Sequence, residues 1–211
     1  MCNSSNSTSV NKLDFKSDVR IELKQGIIIG VEHSNRGTQV FNSVPFARPP
    51  VGDRRWKAPE PVENWSIELE TKSLPPMCHQ MLQPEDTFEE YEEKVANGNI
   101  SEDCLYLHIE KPINGTNLPI LIFIHGGGFV TGTSTGYITS EVSNRGALVV
   151  LPQYRLGPFG FLNTYDEQGP TRYGGNWGLL DQKMAIEFII ENIGICVNCC
   201  MFVQGLLCLH I

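Results

Sequence analysis

Residues 118–129, LPILIFIHGGGF, constrain the fold of this chain more than any other stretch. Five consecutive apolar residues, 120–124, run into His125 and three glycines. An apolar run that ends in glycine is typical of a strand buried on both faces of a parallel sheet. The glycines leave backbone N–H groups uncovered, as a site that stabilises a developing oxyanion requires, but they also suit a plain flexible turn. The flanking sequence decides between these two interpretations.

The composition excludes several classes of protein. The chain has 211 residues, enough for a substantial core, and a formal net charge of −8. The acidic balance argues against a nucleic-acid partner, and no apolar run approaches the roughly 18 residues of a membrane span. Residues 1–18 are rich in Ser and Asn, contain no apolar signal segment and are predicted to be disordered.

The beginning of the chain predicts a small antiparallel meander. Apolar and charged residues alternate over 19–24, which indicates a half-buried strand, and Gly26 ends it. A second strand is expected over 27–29, a turn region over 30–37 and a third strand from Val40.

The segment 44–65 contains too many prolines for regular structure, so we expect an irregular segment held to the surface by aromatic side chains. The expected anchors are Phe46, Trp56 and Trp65. Further on, the acidic run 85–93 is interpreted as a solvated face.

From residue 104 onward the pattern predicts the start of a mostly parallel α/β sheet. The predicted order is strand 104–109, strand 120–124, helix 137–146, strand 147–151, loop 154–162 and helix 177–192. Asn176 is the expected N-cap of the last helix, whose apolar residues recur at helical spacing.

Six segments carry a family resemblance, and they occur in the family's order. They are VPFARPPVGDRRWKAPEP, PPMCHQ, SEDCLYL, LPILIFIHGGGF, YRLGPFGFL and GNWGLLDQKMAIEFIIENI. The chain resembles the type-B carboxylesterases, the esterase and cholinesterase branch of the α/β-hydrolases. The resemblance implies an α/β chain with an incomplete α/β-hydrolase fold: an N-terminal antiparallel meander, then the first part of a mostly parallel central sheet with flanking helices. It divides the chain into a polar tail (1–18), a partial carboxylesterase domain (19–193) and an apolar, Cys-rich tail (194–211).

The resemblance also implies roles for individual residues. Gly127 and Gly128 match the two backbone N–H donors of the family's oxyanion hole, which favours the oxyanion interpretation of the glycines. Cys78 and Cys104 match the family's first disulfide. A structural ion pair is implied for Arg55 and Glu102. Structural roles are implied for three further residues, namely His125, Asn176 and Asp181.

Some positions depart from the family pattern. Trp56 stands where Phe is usual, and His108 and Gln153 stand where Asn is usual. The loop between Cys78 and Cys104 contains no Trp, the side chain with which cholinesterases hold a quaternary ammonium. Specialisation for choline esters is therefore not expected.

The family's catalytic triad has no counterpart here. After residue 193 the family continues with Phe-Gly-Gly-Asp-Pro, a strand and the nucleophile elbow Gly-x-Ser-x-Gly, whereas this chain reads GICVNCCMFVQGLLCLHI. The triad order is Ser, acid, His, so all three members are expected to be missing. The single literal Gly-x-Ser-x-Gly, at 132–136, directly follows the glycine loop, and we interpret Ser134 as a loop residue near the site mouth.

The tail after residue 193 invites a metal interpretation, but we predict no metal site and no cofactor. Its candidate ligands are Cys196, Cys199, Cys200, Cys208 and His210. Structural zinc sites use two well-separated ligand pairs, and here two cysteines are adjacent within an apolar run. We interpret the residues after 193 as a foreign segment, which explains their abrupt change in composition better than a metal site does. Residues 201–211 have the length and apolar character to pair with the sheet edge that the missing strand of the family leaves open. Such an edge also predicts marginal stability and self-association.

Two functions follow. The first is a fragment of a serine-type carboxylic ester hydrolase acting on small-molecule esters, inactive as it stands. The second is a non-catalytic cholinesterase-like interaction protein or an interfering truncated isoform.

The cellular compartment stays open, because the cysteine pair and five Asn-x-Ser/Thr sites suit secretion while the missing signal segment suits the cytoplasm. The five sites are at Asn3, Asn6, Asn64, Asn99 and Asn114.

Overall fold

A computed structural model describes residues 16–81, 87–138, 140–163, 165–166, 169–170, 174–193, 199–203 and 209–210. The strands are β1 (Lys16–Leu23), β2 (Gly26–His33), β3 (Thr38–Pro45), β4 (Leu69–Glu70), β5 (Met77–Cys78), β6 (Ile100–Ser101), β7 (Tyr106–Pro112), β8 (Ile120–Ile124), β9 (Leu148–Pro152), β10 (Tyr165–Asp166), β11 (Gly169–Pro170), β12 (Cys199–Val203) and β13 (Leu209–His210). The α-helices are α1 (Phe88–Ala96), α2 (Ser140–Ser143), α3 (Gly157–Phe161) and α4 (Trp177–Ile193).

Nine of these strands form one mixed sheet in the order β1-β2-β3-β7-β9-β8-β12-β13, with β4 added beside β2. The pairings from β1 to β9 are antiparallel, whereas β9, β8 and β12 run parallel to one another. The prediction of an antiparallel meander leading into a parallel centre is confirmed. Within the described residues the parallel centre comprises these three strands, and the short β4 also pairs parallel to β2.

The meander differs in detail from the sequence prediction. Strand β1 begins at Lys16, inside the stretch predicted to be disordered, and residues 1–15 lie outside the described part of the chain. The prediction of a turn over 30–37 is wrong at its start, because β2 continues to His33. Gly30 lies within β2, opposite Val19 of β1, and a Cβ there would lie 2.5 Å from the ring of Phe41.

Strand β8 has the predicted bounds but not the predicted burial on both faces. Its residues alternate between buried and half-buried, with Leu121 and Phe123 on the less covered face. The ring of Phe123 contacts that of Tyr137 at a centroid distance of 4.8 Å, which covers part of this face. Strand β9, in contrast, is buried over its whole length.

The end of the chain pairs with β8. Strand β12 runs parallel to β8, with Cys199 opposite Ile120 and Val203 opposite Ile124. The predicted pairing of the tail with an open sheet edge is therefore formed by a segment that starts two residues earlier than expected. Cys196 and Cys208, two of the candidate metal ligands, lie outside the described residues.

The helices flank this sheet. Helix α4 matches the prediction to within one residue, and its buried face includes Ala185, Phe188 and Ile189. The region predicted as one helix over 137–146 is instead a 3₁₀ turn, Ser134–Tyr137, followed by α2. Helices α1 and α3 were not predicted, and no residue of α1 is fully buried. No helix among the described residues is long and apolar enough to cross a membrane.

The proline-rich segment is held at two of its three predicted aromatic anchors. Phe46 is 1% exposed, and the indole N–H of Trp65 donates to the carbonyl oxygen of Ile27 at 2.9 Å. The prediction is wrong for Trp56, which is 38% exposed. Its ring lies 5.6 Å from the Arg55 guanidinium carbon, so it covers a cation instead of entering the core.

Strand β7 carries two buried ionisable side chains on one face, His108 and Glu110. His108 Nδ1 lies 2.9 Å from Asn42 Oδ1, and its Nε2 lies 3.8 Å from a Glu110 carboxylate oxygen. The Ser143 hydroxyl of α2 donates to the other carboxylate oxygen at 3.0 Å. Burial alone raises the pKa of Glu110, but the polar groups of His108 and Ser143 outweigh it and the net pKa is lowered.

Candidate active site

The glycine turn lies at the carboxyl end of β8. Gly127, Gly128 and Phe129 have φ values of +119°, +61° and +63°. These three residues are exposed, and the amides of Gly127 and Gly128 donate to no acceptor within the described part of the chain. Two adjacent, unpaired N–H groups at the end of a central strand can donate together to one oxygen atom that gains negative charge.

The two glycines are required for different reasons. A Cβ on Gly127 would lie 1.9 Å from the carbonyl oxygen of Thr131, so no side chain fits there without moving the loop. The Gly127 carbonyl oxygen accepts hydrogen bonds from the amides of Val130 and Thr131, at 3.1 and 3.2 Å, which closes the turn. A Cβ on Gly128 would meet no atom within 4 Å, and only its left-handed φ favours glycine.

The buried side chain of His125 is hydrogen-bonded to the backbone of the glycine turn. Its side chain is 2% exposed, and Nδ1 lies 3.0 Å from the carbonyl oxygen of Gly126, which can only accept, so Nδ1 carries the proton. Its ring stacks on Tyr154 at a centroid distance of 4.4 Å, and the Tyr154 hydroxyl donates to the His125 carbonyl oxygen at 2.8 Å. Burial lowers the pKa of His125, which keeps the imidazole neutral.

Ser134 does not lie at the site mouth as expected. It is 1% exposed and begins the 3₁₀ turn after the loop, with its backbone amide 3.3 Å from Gln153 Oε1. Its hydroxyl has no hydrogen-bond partner among the described residues. A nucleophile must be open to substrate and paired with a base, and Ser134 meets neither condition in this conformation.

Two glutamines hold the segment after the turn, and neither was predicted to have this role. Gln80 bonds to both backbone groups of Gly132, with Nε2 3.2 Å from its oxygen and Oε1 2.9 Å from its nitrogen. Gln153, at the end of β9, donates from Nε2 to the Pro76 carbonyl oxygen at 3.2 Å and accepts from the Ser134 amide. The only available signals were that Gln80 lies in PPMCHQ and that Gln153 departs from the family pattern.

Both residue pairs that the family resemblance implies are in contact in the structure. The Cys78–Cys104 disulfide is present, which confirms that prediction, and both residues are 1% exposed. Arg55 donates to the carboxylate of Glu102 through Nε and Nη2, each at 2.5 Å, and thereby joins the proline-rich segment to the residues before β7. Neither pair touches the glycine turn directly.

A third pair joins the loop after β9 to α4. Arg155 Nε and Nη2 donate to the carboxylate of Asp181 at 2.8 and 2.7 Å, and the Arg155 amide donates to the same group at 3.1 Å. The two residues are 3% and 0% exposed. Asn176, expected to support the sheet, is exposed, and its carbonyl oxygen accepts from the Leu180 amide in the first turn of α4.

The fold and the position of the glycine turn define an α/β-hydrolase. Two solved structures titled PNB esterase superpose with TM-scores of 0.75 and 0.73, at 32% and 34% sequence identity. Each match covers 89% of this chain and 38% of the solved chain.

The sequence comparisons identify the family. The model of the carboxylesterase family matches residues 17–195, and the chain belongs to this family. Human (Homo sapiens) cocaine esterase is 38% identical over 174 residues, juvenile hormone esterase of Tribolium castaneum 43% over 177, and liver carboxylesterase 1 of Mus musculus 40% over 176. These matches cover 80%, 81% and 80% of this chain and 30%, 28% and 30% of the relatives, so the chain spans less than a third of their length.

Proposed function

We propose that this chain supplies the oxyanion-binding part of a serine-type carboxylic ester hydrolase, with the amides of Gly127 and Gly128 as donors. The observation that carries the proposal is the pair of adjacent, exposed amides without an acceptor in the described part of the chain. When a nucleophile attacks an ester carbonyl, its oxygen becomes negative, and two preorganised N–H groups stabilise it. Loss of one such donor typically costs about 10²–10³ in kcat.

The substrate class we propose is small-molecule carboxylic esters, and the family supports this class. The elbow serine of the family would form the acyl intermediate, with a histidine as base. Residues 1–211 contain one Gly-x-Ser-x-Gly, at 132–136, and its Ser134 is buried. We therefore expect no turnover of p-nitrophenyl acetate by the purified chain and no labelling by a fluorophosphonate probe; labelling of the chain would refute this.

The oxyanion role is tested separately by NMR. We expect titration of the ¹⁵N-labelled chain with butyrate, a carboxylate that mimics the oxyanion, to shift the amide signals of Gly127 and Gly128 saturably. Gly98 and Gly146 are internal controls, because they also have positive φ but their amides already donate to Val95 and Ser143. Equal shifts at the control glycines, or none at Gly127 and Gly128, would contradict the proposal.

Self-association through an open edge of β8 finds no support, because β12 pairs with that edge. The domain division at residues 18 and 193 stays a prediction. In the proposed function, the chain positions the glycine turn at the end of the central sheet. The interaction-protein alternative gains no specific observation.

A further inference from the structure

The segment after Cys78 is bonded to the loop that follows the glycine turn. The amide of Met81 donates to the Val130 carbonyl oxygen at 3.0 Å. The carboxamide of Gln80 both donates to and accepts from the backbone of Gly132, and its oxygen also accepts from the Thr131 hydroxyl at 2.9 Å. The Gln80 side chain therefore pairs with Gly132 as the backbone of a neighbouring strand would.

Gly132 in turn lies against the base of the glycine turn. Its φ is +115°, and a Cβ there would lie 2.4 Å from the Gly126 carbonyl oxygen and 2.6 Å from His125 Nδ1. The amide of Thr131, next to Gly132, donates to the Gly127 carbonyl oxygen. A displacement of Gly132 must therefore move Gly126 and Gly127, which carry the turn.

The disulfide holds the other end of this connection. Gln80 Nε2 also donates to the Cys78 carbonyl oxygen at 3.2 Å. Cys104 lies two residues before β7, a central strand of the sheet, so the bond from Cys78 fixes the segment that carries Gln80 relative to the sheet. The contacts form one continuous path: sheet, disulfide, Gln80, Gly132 and glycine turn.

We propose that Gln80 is a positioning residue through which the Cys78–Cys104 disulfide orders the oxyanion loop. The loop's assignment as an oxyanion loop rests on the proposed function, whereas the coupling itself does not. With the disulfide closed, the Gln80 carboxamide is held where it fixes Gly132. With the disulfide absent, the segment 77–81 is less restrained, and Gln80 loses its effect on the turn.

The first test measures hydrogen exchange of individual amides in the purified, oxidised chain. In Gln80→Ala we expect the protection factor of Gly132 to fall about 10- to 100-fold, since up to three hydrogen bonds to this loop are lost. The amide of Gln153, bonded to Tyr106 within the sheet, should keep its protection. Gln25→Ala is the matched control, because that glutamine also accepts a side-chain hydrogen bond but lies against Asn192 on α4.

The conservative variant separates positioning from loss of volume. In Gln80→Glu an ionised carboxylate still accepts from the amide of Gly132 but cannot donate to its carbonyl oxygen. Protonation restores one donor, so the protection of Gly132 should rise as the pH falls through the carboxyl pKa, a change that Gln80→Ala should not show. The same pH profile in both variants would overturn the positioning role.

The second test is a cycle with the disulfide. In a Cys78→Ala/Cys104→Ala background, Gln80→Ala should lower the protection of Gly132 less than about threefold, because the coupling is already lost. An equal loss in both backgrounds would overturn the coupling. If the disulfide-free chain does not fold, butyrate titration of oxidised Gln80→Ala decides: shifts at Gly127 and Gly128 as large as in the wild type overturn the inference, and weaker shifts support it. Absence of shifts in the wild type refutes the proposed function alone, and the exchange result still stands.

Discussion

Breaking the buried pair of Arg155 and Asp181 is expected to destabilise the chain more than breaking an exposed ion pair. Replacing Asp181 with Ala removes the acceptor of three hydrogen bonds and leaves a guanidinium that is 3% exposed without its carboxylate. Breaking a buried pair in this way typically costs about 3–5 kcal/mol, whereas whole domains are stable by only about 5–15 kcal/mol. We therefore expect Asp181→Ala to lower the urea midpoint severely or to abolish the folded state.

Trp177 provides the assay. It is 5% exposed and is the first residue of α4, so unfolding of this helix in urea should change the tryptophan fluorescence, to which Trp56 and Trp65 also contribute. The matched control is Glu187→Ala, which removes the exposed ion pair with Lys183 on the same helix; its side chains are 65% (Lys183) and 53% (Glu187) exposed. This control should cost less than about 0.5 kcal/mol.

The double variant Arg155→Met/Asp181→Leu keeps the result interpretable if Asp181→Ala fails to fold. It removes both charges and replaces them with apolar volume, so it should be clearly more stable than Asp181→Ala. The reasoning would be wrong if Asp181→Ala lay within about 1 kcal/mol of the Glu187→Ala control, or if the double variant were the least stable of the three.

Three further outcomes are expected. Gly127→Ala should destabilise the turn far more than Gly128→Ala, which should cost about 1–2 kcal/mol for its left-handed φ; equal effects on amide exchange in the turn would contradict the 1.9 Å clash between the new Cβ and the Thr131 oxygen. The lowered pKa of Glu110 contributes stability above its ordinary pKa of 4.5, and that stability should be lost as the pH falls through the folded value. Glu110→Gln should weaken the decrease of the unfolding free energy at acid pH, measured by urea titration. An unchanged decrease would refute the lowered pKa of Glu110. Burial raises the pKa of Tyr154 to about 12, so stability should fall as the pH rises above the ordinary 10. Ultraviolet titration should show this phenol ionising late, and Tyr154→Phe should reduce the late absorbance change by one phenol, because burial also raises the pKa of Tyr106.

The elements with strong local patterns could be predicted from the sequence. Strand β8 and helix α4 were predicted to within one residue, because an uninterrupted apolar run and a helical apolar repeat each admit few alternatives. Helix α1 was missed although Thr87 and Glu90, three residues apart, form a capping box. Helix α3 was missed because Gly157 and Pro158 in its first turn usually indicate a loop.

The contacts that shape the site could not be predicted, because they join residues distant in sequence. Nothing in the local pattern around Gln80 indicates that its carboxamide meets Gly132, 52 positions away. The sequence predicted a strand over 104–109, but it did not indicate that α2 packs on this strand and that Glu110 is buried against Ser143. Local periodicity reports which residues share a face, and it does not report what packs on that face.

The disulfide has a consequence for proteolysis. It joins two residues 26 positions apart, and the closed loop between them contains α1, which has no buried residue. A protease that cuts once in this helix would break the backbone without releasing a fragment, because the bond between Cys78 and Cys104 still joins the two pieces. Such a cleaved molecule would migrate as intact chain in a denaturing gel without reductant and as two fragments with it.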